Sequence, residues 1–358
     1  MENNDVTIYL REMALKVDKE IREYLTNKTS TRYLGTLLGR SGYEYDKDAI
    51  DRAVLDPAVY LLGLGGKRWR STLMLTVIAA LGKDPKDFME FAIIPEVIHN
   101  GTLLHDDIED DSKMRRGSEA VHLKYGVDIA LNLGDFMFYL PMIALLDSNK
   151  LSRDTKISVL ETYQRDMLKL SIGQATDIAW HRNIIGPDEV TESQYLQMAY
   201  SKTGVLSGMA AKMGAILAGA DKKTADAIGH FGATIGVAFQ LQDDLLNMSE
   251  SRLADLKGGV GEDITEGKIT LLTIKTIERA NDLDKKRFVE IMKMHTGEEA
   301  NIKEAIGLIK SYKADEYIKD LEFKLLKDAW QSVDPLIKES ESKARLRGMG
   351  EFLIERSI

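Results

Sequence analysis

The chain has 358 residues, no cysteine, six prolines and a formal net charge of −9. The absence of cysteine excludes disulfides, thiolate metal sites and cysteine nucleophiles, and the acidic balance argues against a nucleic-acid partner. Because 44% of the residues are hydrophobic and no Pro- or Ser-rich linker divides the chain, we expect a single large domain over residues 1–358.

The N-terminal segment is acidic and lacks the apolar core of a signal peptide. No apolar run is expected to reach the roughly 20 residues that span a bilayer. We therefore expect a cytoplasmic protein without a membrane span. A helix followed by an irregular connection is predicted over residues 1–46.

Apolar residues recur with helical periodicity along almost the whole chain, and two-residue alternation is nearly absent. The sequence therefore predicts an all-α protein. The predicted helices cover residues 7–26, 47–63, 70–81, 85–113, 119–132, 134–147, 153–173, 191–201, 203–219, 222–249, 267–280, 285–296, 301–311 and 314–342.

Three cations, Lys67, Arg68 and Arg70, follow a glycine turn at Gly65 and Gly66. Glycine lets a backbone approach an anion closely, and lysine and arginine supply charged hydrogen-bond donors. The turn is therefore a candidate anion site, although a lone basic residue is more often a surface cation.

An acidic run, DDIEDD, occupies residues 106–111 at the end of an apolar helix. Asp106 and Asp110 are four residues apart, as are Asp107 and Asp111, so each pair is expected to share a helical face. Like charges at this spacing repel unless a cation lies between them, and oxygen ligands suit Mg²⁺ or Mn²⁺. Taken alone, the run could equally be a solvated acidic helix end.

Basic residues recur beyond this run. Arg115 and Arg116 follow it directly, and Lys202 is predicted to stand at the start of an apolar helix, which is itself an anion site. Lys257 and Lys268 flank a glycine-rich loop. The helices over residues 119–147 are rich in Gly, Ala and Leu and could form a dimer face, which composition does not distinguish from ordinary core.

A second acidic cluster, Asp243 and Asp244, follows an apolar stretch of the helix predicted over 222–249. Gln240 and Asn247 fall on the same helical stripe. Carboxylates in an apolar helix are costly unless they are paired or bound to a metal. The two clusters could face each other across a pocket and hold a metal-bound diphosphate.

Together these segments resemble the trans-isoprenyl diphosphate synthases, the family of farnesyl and geranylgeranyl diphosphate synthases. The run at 106–110 resembles the family's first aspartate-rich motif, and 66–70 resembles its isopentenyl diphosphate loop. Further matches in the family's order are Glu96 and His99, Arg115-Arg116-Gly117, Gly134-Asp135, Gly173-Gln174-Ala175-Thr176-Asp177, Lys202-Thr203-Gly204, Phe239-Gln240 with Asp243-Asp244, Gly261-Glu262-Asp263 and Gly267-Lys268.

The resemblance implies a single helical bundle of the isoprenoid synthase type with a central active-site cavity, usually as a homodimer. It also implies a prenyltransferase that joins isopentenyl diphosphate to an allylic diphosphate after Mg²⁺-assisted ionisation. The implied magnesium ligands are Asp106, Asp107, Asp110, Asp243 and Asp244. The implied substrate-binding residues are Lys67, Arg70, His99, Arg115, Arg116, Gln174, Lys257 and Lys268. The implied carbocation-stabilising residues are Lys202, Thr203 and Gln240.

Two positions depart from the family's pattern. Asn247 stands where many members carry aspartate, and because an amide has no charge, a metal held there is expected to bind more weakly. Ser71 replaces a proline that commonly follows the basic loop, a change expected to be minor.

The length of the product is predicted from the helix before Asp106. Gly101 lies five residues earlier, about 7.5 Å along the helix, where members that stop at the farnesyl product carry bulky aromatics. Because Gly101 and Thr102 are small, we expect a deeper tunnel closed by Ile98 or Ile94, with geranylgeranyl diphosphate as the main product and longer chains beside it. Gly101→Phe is then expected to shorten the product, unless Gly101 serves only close helix packing.

Three other functions are alternatives to prenyl transfer. A metal phosphohydrolase would need more histidines than the six present, although His99, His105 and Asp106 have suitable side chains. A terpene cyclase would have no use for a second diphosphate site at Lys67 and Arg70. A non-catalytic regulatory subunit that binds a catalytic homologue is the remaining alternative.

Overall fold

The computed structural model describes residues 3–28, 42–248 and 261–354. These residues belong to two compact units that alternate along the chain. Unit 1 comprises Met1–Glu161, Ala210–Ala225 and Lys338–Gly348, and unit 2 comprises Thr162–Met209, Asp226–Ile337 and Met349–Ile358. The single-domain organisation stays a prediction of the sequence.

The described residues are almost entirely helical, which confirms the all-α prediction. The helices are α1 (Asn3–Lys28), α2 (Lys47–Ile50), α3 (Asp56–Gly63), α4 (Trp69–Ala80), α5 (Ile93–Glu109), α6 (Val121–Tyr125), α7 (Val127–Tyr139), α8 (Met142–Asp147), α9 (Arg153–His181), α10 (Glu192–Ala199), α11 (Val205–Leu217), α12 (Lys222–Asn247), α13 (Glu262–Thr265), α14 (Leu271–Arg279), α15 (Asp282–Met294), α16 (Glu299–Ser311), α17 (Ala314–Val333) and α18 (Glu341–Ile354). Shorter elements are π-helical turns at Asp51–Leu55 and Tyr200–Gly204, 3₁₀ turns at Pro85–Phe91 and Asp334–Leu336, and the antiparallel strands β1 (Met114–Arg115) and β2 (Ser118–Glu119).

The acidic run at 106–111 does not lie wholly on a helix. The helix predicted over 85–113 is a 3₁₀ turn followed by α5, and α5 ends at Glu109. Asp111 has a positive φ of 50°, a left-handed conformation that stops a helix. The expectation that Asp107 and Asp111 share a helical face is therefore wrong.

The apolar stretch at 119–147 breaks at different points from those predicted. It breaks at Gly126, where φ is 107°, and again at Pro141, just before α8. Val127–Asp147 is long and apolar enough to cross a membrane by length and composition alone, with a mean hydropathy of 1.7 and half of it buried in the protein. The expectation that no apolar run approaches this length is wrong for that stretch.

Unit 1 is packed most closely where α5 lies along α7. A Cβ atom on Gly101 would lie 3.0 Å from the carbonyl oxygen of Gly134 and 3.0 Å from the ring of Phe138. A Cβ atom on Gly134 would in turn lie 2.6 Å from the ring of His105. Both glycines are therefore required by the close approach of the two helices, here named the α5–α7 seam.

Unit 2 has its own apolar core, built from α10, α12 and α14–α17, with Leu241, Phe288 and Ile318 fully buried. A capping box between Thr191 and Gln194 begins α10. Two predicted helices are divided in the structure. The helix predicted over 267–280 contains a turn before α14, and in the segment predicted as a helix over 314–342, α17 ends at Val333, just before Pro335.

Candidate active site

The first carboxylates lie at the C-terminal end of α5. Asp106 is in the last turn of the helix, about a quarter exposed, and Asp110 is its C-cap residue. Backbone carbonyls give a helix C-terminus a partial negative charge, so carboxylates placed there favour a nearby cation. This end of α5 therefore combines carboxylate oxygen ligands with a negative electrostatic potential, and both suit Mg²⁺.

Asp107, between them, is buried and paired with Arg115. Its Oδ1 accepts hydrogen bonds from Nε of Arg115, at 2.8 Å, and from Nη2. Its buried Oδ2 has no hydrogen-bond partner among the described residues. Burial raises the pKa of Asp107 and Arg115 opposes that shift. Burial lowers the pKa of Arg115, but the hydrogen bond to Asp107 and the charges of the neighbouring aspartates together leave that pKa raised. The structure thus pairs two residues that the family resemblance assigns separately to metal and diphosphate.

A cluster of guanidinium groups lies against the glycine turn of unit 1. A Cβ atom on Gly66 would lie 3.1 Å from Nη1 of Arg68 and 3.3 Å from Nη2 of Arg116. Nη1 of Arg116 donates to the carbonyl oxygen of Gly65. Burial, and then the charge of Arg68, lower the pKa of Arg116 to about 10. The absence of a side chain at Gly66 is what lets the two arginines approach the turn.

His99 is near the same cations. Burial, followed by the charges of Arg70 and Arg116, lowers the pKa of His99 well below its usual range, so its imidazole is neutral at neutral pH. Arg70 is buried and stacks on Trp69, with its guanidinium carbon 4.6 Å from the ring centroid, while Lys67 is exposed. Several positive charges gathered in a partly buried place favour an anion.

Arg68 has a structural role that the sequence did not reveal. It is 1% exposed, its Nε donates to Asp18 at 2.7 Å, and its Nη2 donates to the carbonyl oxygen of Leu62 at 2.9 Å. Its Nη1 is 3.6 Å from the carboxylate of Glu96. Arg68 therefore ties α1 and α5 to the turn before α4.

The predicted chain-length residues are in the described part of α5. Ile98 is fully buried, and the hydroxyl of Thr102 donates to the carbonyl oxygen of His99 at 2.7 Å. Gly101 lies in the α5–α7 seam, against Phe138. The packing role of Gly101 is therefore real, and the aromatic ring beside it comes from α7, a residue that inspection of the α5 sequence missed.

The second cluster occupies the C-terminal end of α12. Asp243 is half-buried and Asp244 is buried. The side-chain oxygen of Asn247 accepts a hydrogen bond from the backbone N–H of Asp263 at 3.1 Å. Asn247 thus caps the start of α13, and a small cavity beside it is lined by Asp244, Asp263 and Lys268 among others.

Asp244 accepts a hydrogen bond on each oxygen. The hydroxyl of Tyr195 donates to Oδ2 at 2.5 Å, and the amide of Gln240 donates to Oδ1 at 3.0 Å. Burial, then the charge of Asp263, raise the pKa of Asp244 to about 8, although the two hydrogen bonds lower it. Tyr195, which no motif indicated, is itself 2% exposed.

We expect the contribution of Asp244 to the stability of the metal-free protein to fall as the pH rises from about 5 to 8. The folded carboxyl of Asp244 keeps its proton up to about pH 8, whereas the unfolded one loses it near pH 4, so unfolding releases a proton throughout this range. Denaturant unfolding at several pH values in the presence of a chelator measures the slope. The Asp244→Asn variant should show a shallower slope, and an unchanged slope would contradict the assignment.

Lys202 does not begin a helix, contrary to the prediction. It lies within the π-helical turn Tyr200–Gly204, which joins α10 to α11. Its Nζ is 2.5 Å from the carboxylate of Asp177 on α9. A Cβ atom on Gly173 would lie 2.6 Å from the backbone carbon of Ser201, so that glycine admits the turn. Single π turns in helices occur frequently at functional sites.

Three further predicted residues have these positions. Gln174 is half-buried in α9, next to Gly173. The Nζ of Lys268 is 2.6 Å from the carboxylate of Glu266. Lys257 lies outside the described residues.

The oxygen donors fit magnesium better than a metal that needs a full protein cage. No group of three or more His, Cys, Asp or Glu side chains with metal-binding geometry occurs in the part of the chain that the structure describes. Mg²⁺ commonly uses one or two carboxylates and takes its remaining ligands from water and substrate phosphates. Asp106 with Asp110 in unit 1, and Asp243 in unit 2, can each serve in that way.

Comparisons with known proteins agree with this geometry. The family model of polyprenyl synthetase matches residues 51–309. A short chain isoprenyl diphosphate synthase of Methanothermobacter thermautotrophicus is 32% identical, over 86% of this chain and 92% of that protein. The chain belongs to the polyprenyl synthetase family, and its enzymatic class is that of the prenyl transferases.

Two crystal structures are similar over nearly the whole chain. Geranylgeranyl pyrophosphate synthetase from Pyrococcus horikoshii is 29% identical with a TM-score of 0.84, covering 100% of both chains. Polyprenyl synthase from Caulobacter crescentus, complexed with calcium and isoprenyl diphosphate, is 25% identical with a TM-score of 0.80, covering 98% of both. The fold is therefore the all-α isoprenoid synthase fold, and a regulatory subunit without activity is not favoured.

Proposed function

We propose that the protein condenses isopentenyl diphosphate with an allylic diphosphate to give geranylgeranyl diphosphate. The observation that carries the proposal is that carboxylates lie near the C-terminal ends of two helices, Asp106 in α5 and Asp243 in α12. The Pyrococcus horikoshii protein, called a geranylgeranyl pyrophosphate synthetase, supports the product.

Magnesium is the proposed cofactor, with manganese as a substitute. Asp106, Asp110 and Asp243 are the proposed ligands, because each is a carboxylate at a helix end that favours a cation. The bound metal would neutralise charge on the departing diphosphate oxygens, which lowers the ionisation barrier. The polyprenyl synthase of Caulobacter crescentus, which was crystallised with calcium and isoprenyl diphosphate, supports a divalent cation.

The residues of unit 1 around the glycine turn are proposed to bind isopentenyl diphosphate. Arg70, Arg116 and the exposed Lys67 supply charged donors, and neutral His99 supplies one N–H donor without adding charge. Burial and then the charges of neighbouring arginines lower the pKa of Arg116 and of His99, and an anion there would offset those charges. Arg115 has a different task, because it neutralises buried Asp107.

The reaction breaks the allylic C–O bond and forms a C–C bond to isopentenyl diphosphate. We propose that the oxygen atoms of Thr203 and Gln240, which are hydrogen-bonded to each other at 2.9 Å, stabilise the developing carbocation. Lys202 supplies positive charge for the departing diphosphate. That diphosphate then removes the final proton, so no dedicated protein base is required.

The decisive test is an incubation of purified protein with isopentenyl diphosphate and farnesyl diphosphate, with and without Mg²⁺. Products are sized by mass spectrometry. A Mg²⁺-dependent series that starts at geranylgeranyl diphosphate is expected. Absence of elongation with geranyl, farnesyl and dimethylallyl primers would contradict the proposal, and release of monophosphate or free prenol would indicate a phosphohydrolase.

Phe138→Ala is expected to shift the product toward longer chains. The ring of Phe138 fills the space beside Gly101, so removing it deepens the apolar region next to α5. Phe136→Ala is the matched control, because residues two apart on a helix do not share a face. Product lengths measured under equal turnover would decide, and identical product profiles in both variants would exclude Phe138 as the limiting residue.

A homodimer is proposed through the surface of α6 and α7. Leu123 of α6 and Val127 and Leu131 of α7 are each about half exposed, and Val127 and Leu131 are four residues apart on one helix, so a second copy would cover aliphatic surface here. Leu131→Glu is therefore expected to yield monomers by light scattering, whereas Leu283→Glu, at an exposed leucine of α15, should not. A dimer that survives Leu131→Glu would exclude this surface. The cytoplasmic location stays a prediction of the sequence.

A further inference from the structure

A line of hydrogen bonds runs through the buried part of unit 2. The hydroxyl of Tyr195 donates to Oδ2 of Asp244 at 2.5 Å. The side-chain amide of Gln240 donates to Oδ1 of the same carboxylate at 3.0 Å. The hydroxyl of Thr203 then donates to Oε1 of Gln240 at 2.9 Å. The line therefore ends on two of the residues that face the proposed reaction.

The two donors occupy both oxygens of Asp244, which is only 4% exposed. Each oxygen of Asp244 already accepts a hydrogen bond from a protein donor, and a buried oxygen held in this way is a poorer magnesium ligand than one that faces solvent. Asp243, one residue earlier, is half-buried and remains the ligand proposed for this cluster. The position of Asp244 instead lets it hold the side-chain amide of Gln240 through a hydrogen bond.

The chemistry of the partners determines which way the amide of Gln240 points. An ionised carboxylate only accepts hydrogen bonds, and a proton on Oδ2 still leaves Oδ1 as an acceptor, so the amide turns its NH₂ group toward Asp244. Its oxygen is then directed at Thr203, which donates to it. A reversed amide would present N–H dipoles, positive end first, where a carbocation must be stabilised.

We propose that Tyr195 and Asp244 are positioning residues that hold the amide of Gln240 with its oxygen toward Thr203. The inference rests on the proposed prenyl transfer, since it concerns the group that stabilises the carbocation. It changes the role of Asp244, which the family resemblance assigned to the metal, and it adds Tyr195, whose hydroxyl holds the carboxylate from the other side.

Tyr195→Phe removes the second donor and leaves the ring in place. We expect kcat to fall about 10-fold, the upper end of the usual effect of losing one hydrogen bond. The KM for isopentenyl diphosphate and the Mg²⁺ concentration for half-maximal rate should not change. Tyr317→Phe is the matched control, because it removes a phenol that donates to Glu192 at 2.8 Å in the same unit, and its kinetics should stay unchanged.

Asp244→Asn is the second variant. When Mg²⁺ is titrated into Asp244→Asn in the presence of inorganic diphosphate, calorimetry should show the same binding as in the unsubstituted protein, whereas Asp243→Asn should lose the part that depends on its carboxylate. The side-chain amide signals of Gln240, identified by their loss in Gln240→Glu, should move in both Tyr195→Phe and Asp244→Asn and not in Tyr317→Phe. This spectroscopic result does not require turnover.

A failure of catalysis and a failure of positioning give different results. If the unsubstituted protein does not elongate any primer, the proposed function fails, and the spectra and calorimetry still test the positioning. Positioning is overturned if Asp244→Asn loses as much Mg²⁺ binding as Asp243→Asn, or if Tyr195→Phe leaves both kcat and the amide signals of Gln240 unchanged. A rise in Mg²⁺ requirement with kcat unchanged in Tyr195→Phe would also overturn it.

Discussion

Asp106→Asn is expected to lower kcat by about 100- to 1000-fold, the range found when one preorganised electrostatic group is removed from a reacting centre. The metal-free protein should keep its stability within about 1 kcal/mol. Loss of a carboxylate at the negative end of α5 relieves repulsion, and this offsets the loss of the long 3.9 Å contact between Asp106 and Arg115.

Steady-state turnover at saturating Mg²⁺ and denaturant unfolding with a chelator measure the two effects of Asp106→Asn. Asp111→Asn is the matched control from the same run. Asp111 is exposed and forms an ion pair with Lys113. Its backbone has the left-handed conformation, which asparagine adopts readily. Equal losses of turnover in the two variants would contradict a distinct metal role for Asp106.

Arg115→Met is expected to destabilise the protein by about 3 to 5 kcal/mol, the usual cost of leaving a buried charge without its partner. Asp107 is 1% exposed, and Oδ1 relies on Arg115 while Oδ2 has no partner among the described residues. The stability of Arg115→Lys should lie between those of the unsubstituted protein and Arg115→Met, because lysine keeps the positive charge but loses the paired N–H donors of the guanidinium group. The free energy of unfolding from urea titrations measures the series.

The neighbouring arginine provides the control. Arg116 is held among like charges, and its pKa is lowered to about 10, so Arg116→Met should change the free energy of unfolding by less than about 1 kcal/mol. It should instead raise the KM for isopentenyl diphosphate. If the two methionine variants lose equal stability, Arg115 is not the specific partner of Asp107. Asp107→Asn combined with Arg115→Met should recover part of the loss.

The helices could be predicted from the sequence because their apolar stripes are local and periodic. The ends of the helices could not be predicted where a single backbone angle determines where a helix stops. Gly126 breaks the apolar stretch at 119–147 through a positive φ, and periodicity alone placed that break several residues later. The π turn at Tyr200–Gly204 was not predicted for a related reason. Lys202 and Gly204 suggested that a new helix begins there, whereas the turn continues the helix before it.

Motifs indicated the site residues, and only the structure assigns their partners. The spacing of Asp106 and Asp110 indicated a cation, and both lie at one helix end. The same run did not reveal that Asp107 is buried against Arg115, because that pairing depends on the turn between α5 and β1, where Asp111 has a positive φ. Tyr195 is 49 residues from Asp244, so no local pattern could connect them.

The π turn limits which insertions and deletions this part of the chain tolerates. Such a turn amounts to one residue inserted into an α-helix, so α10 and α11 are out of phase by about 100°. A one-residue deletion between Tyr200 and Gly204 would restore regular winding and rotate every later side chain of α11 away from its present neighbours. The number of residues in this turn therefore cannot vary without moving the side chains of α11, and Gly173, against which the turn lies, is subject to the same constraint.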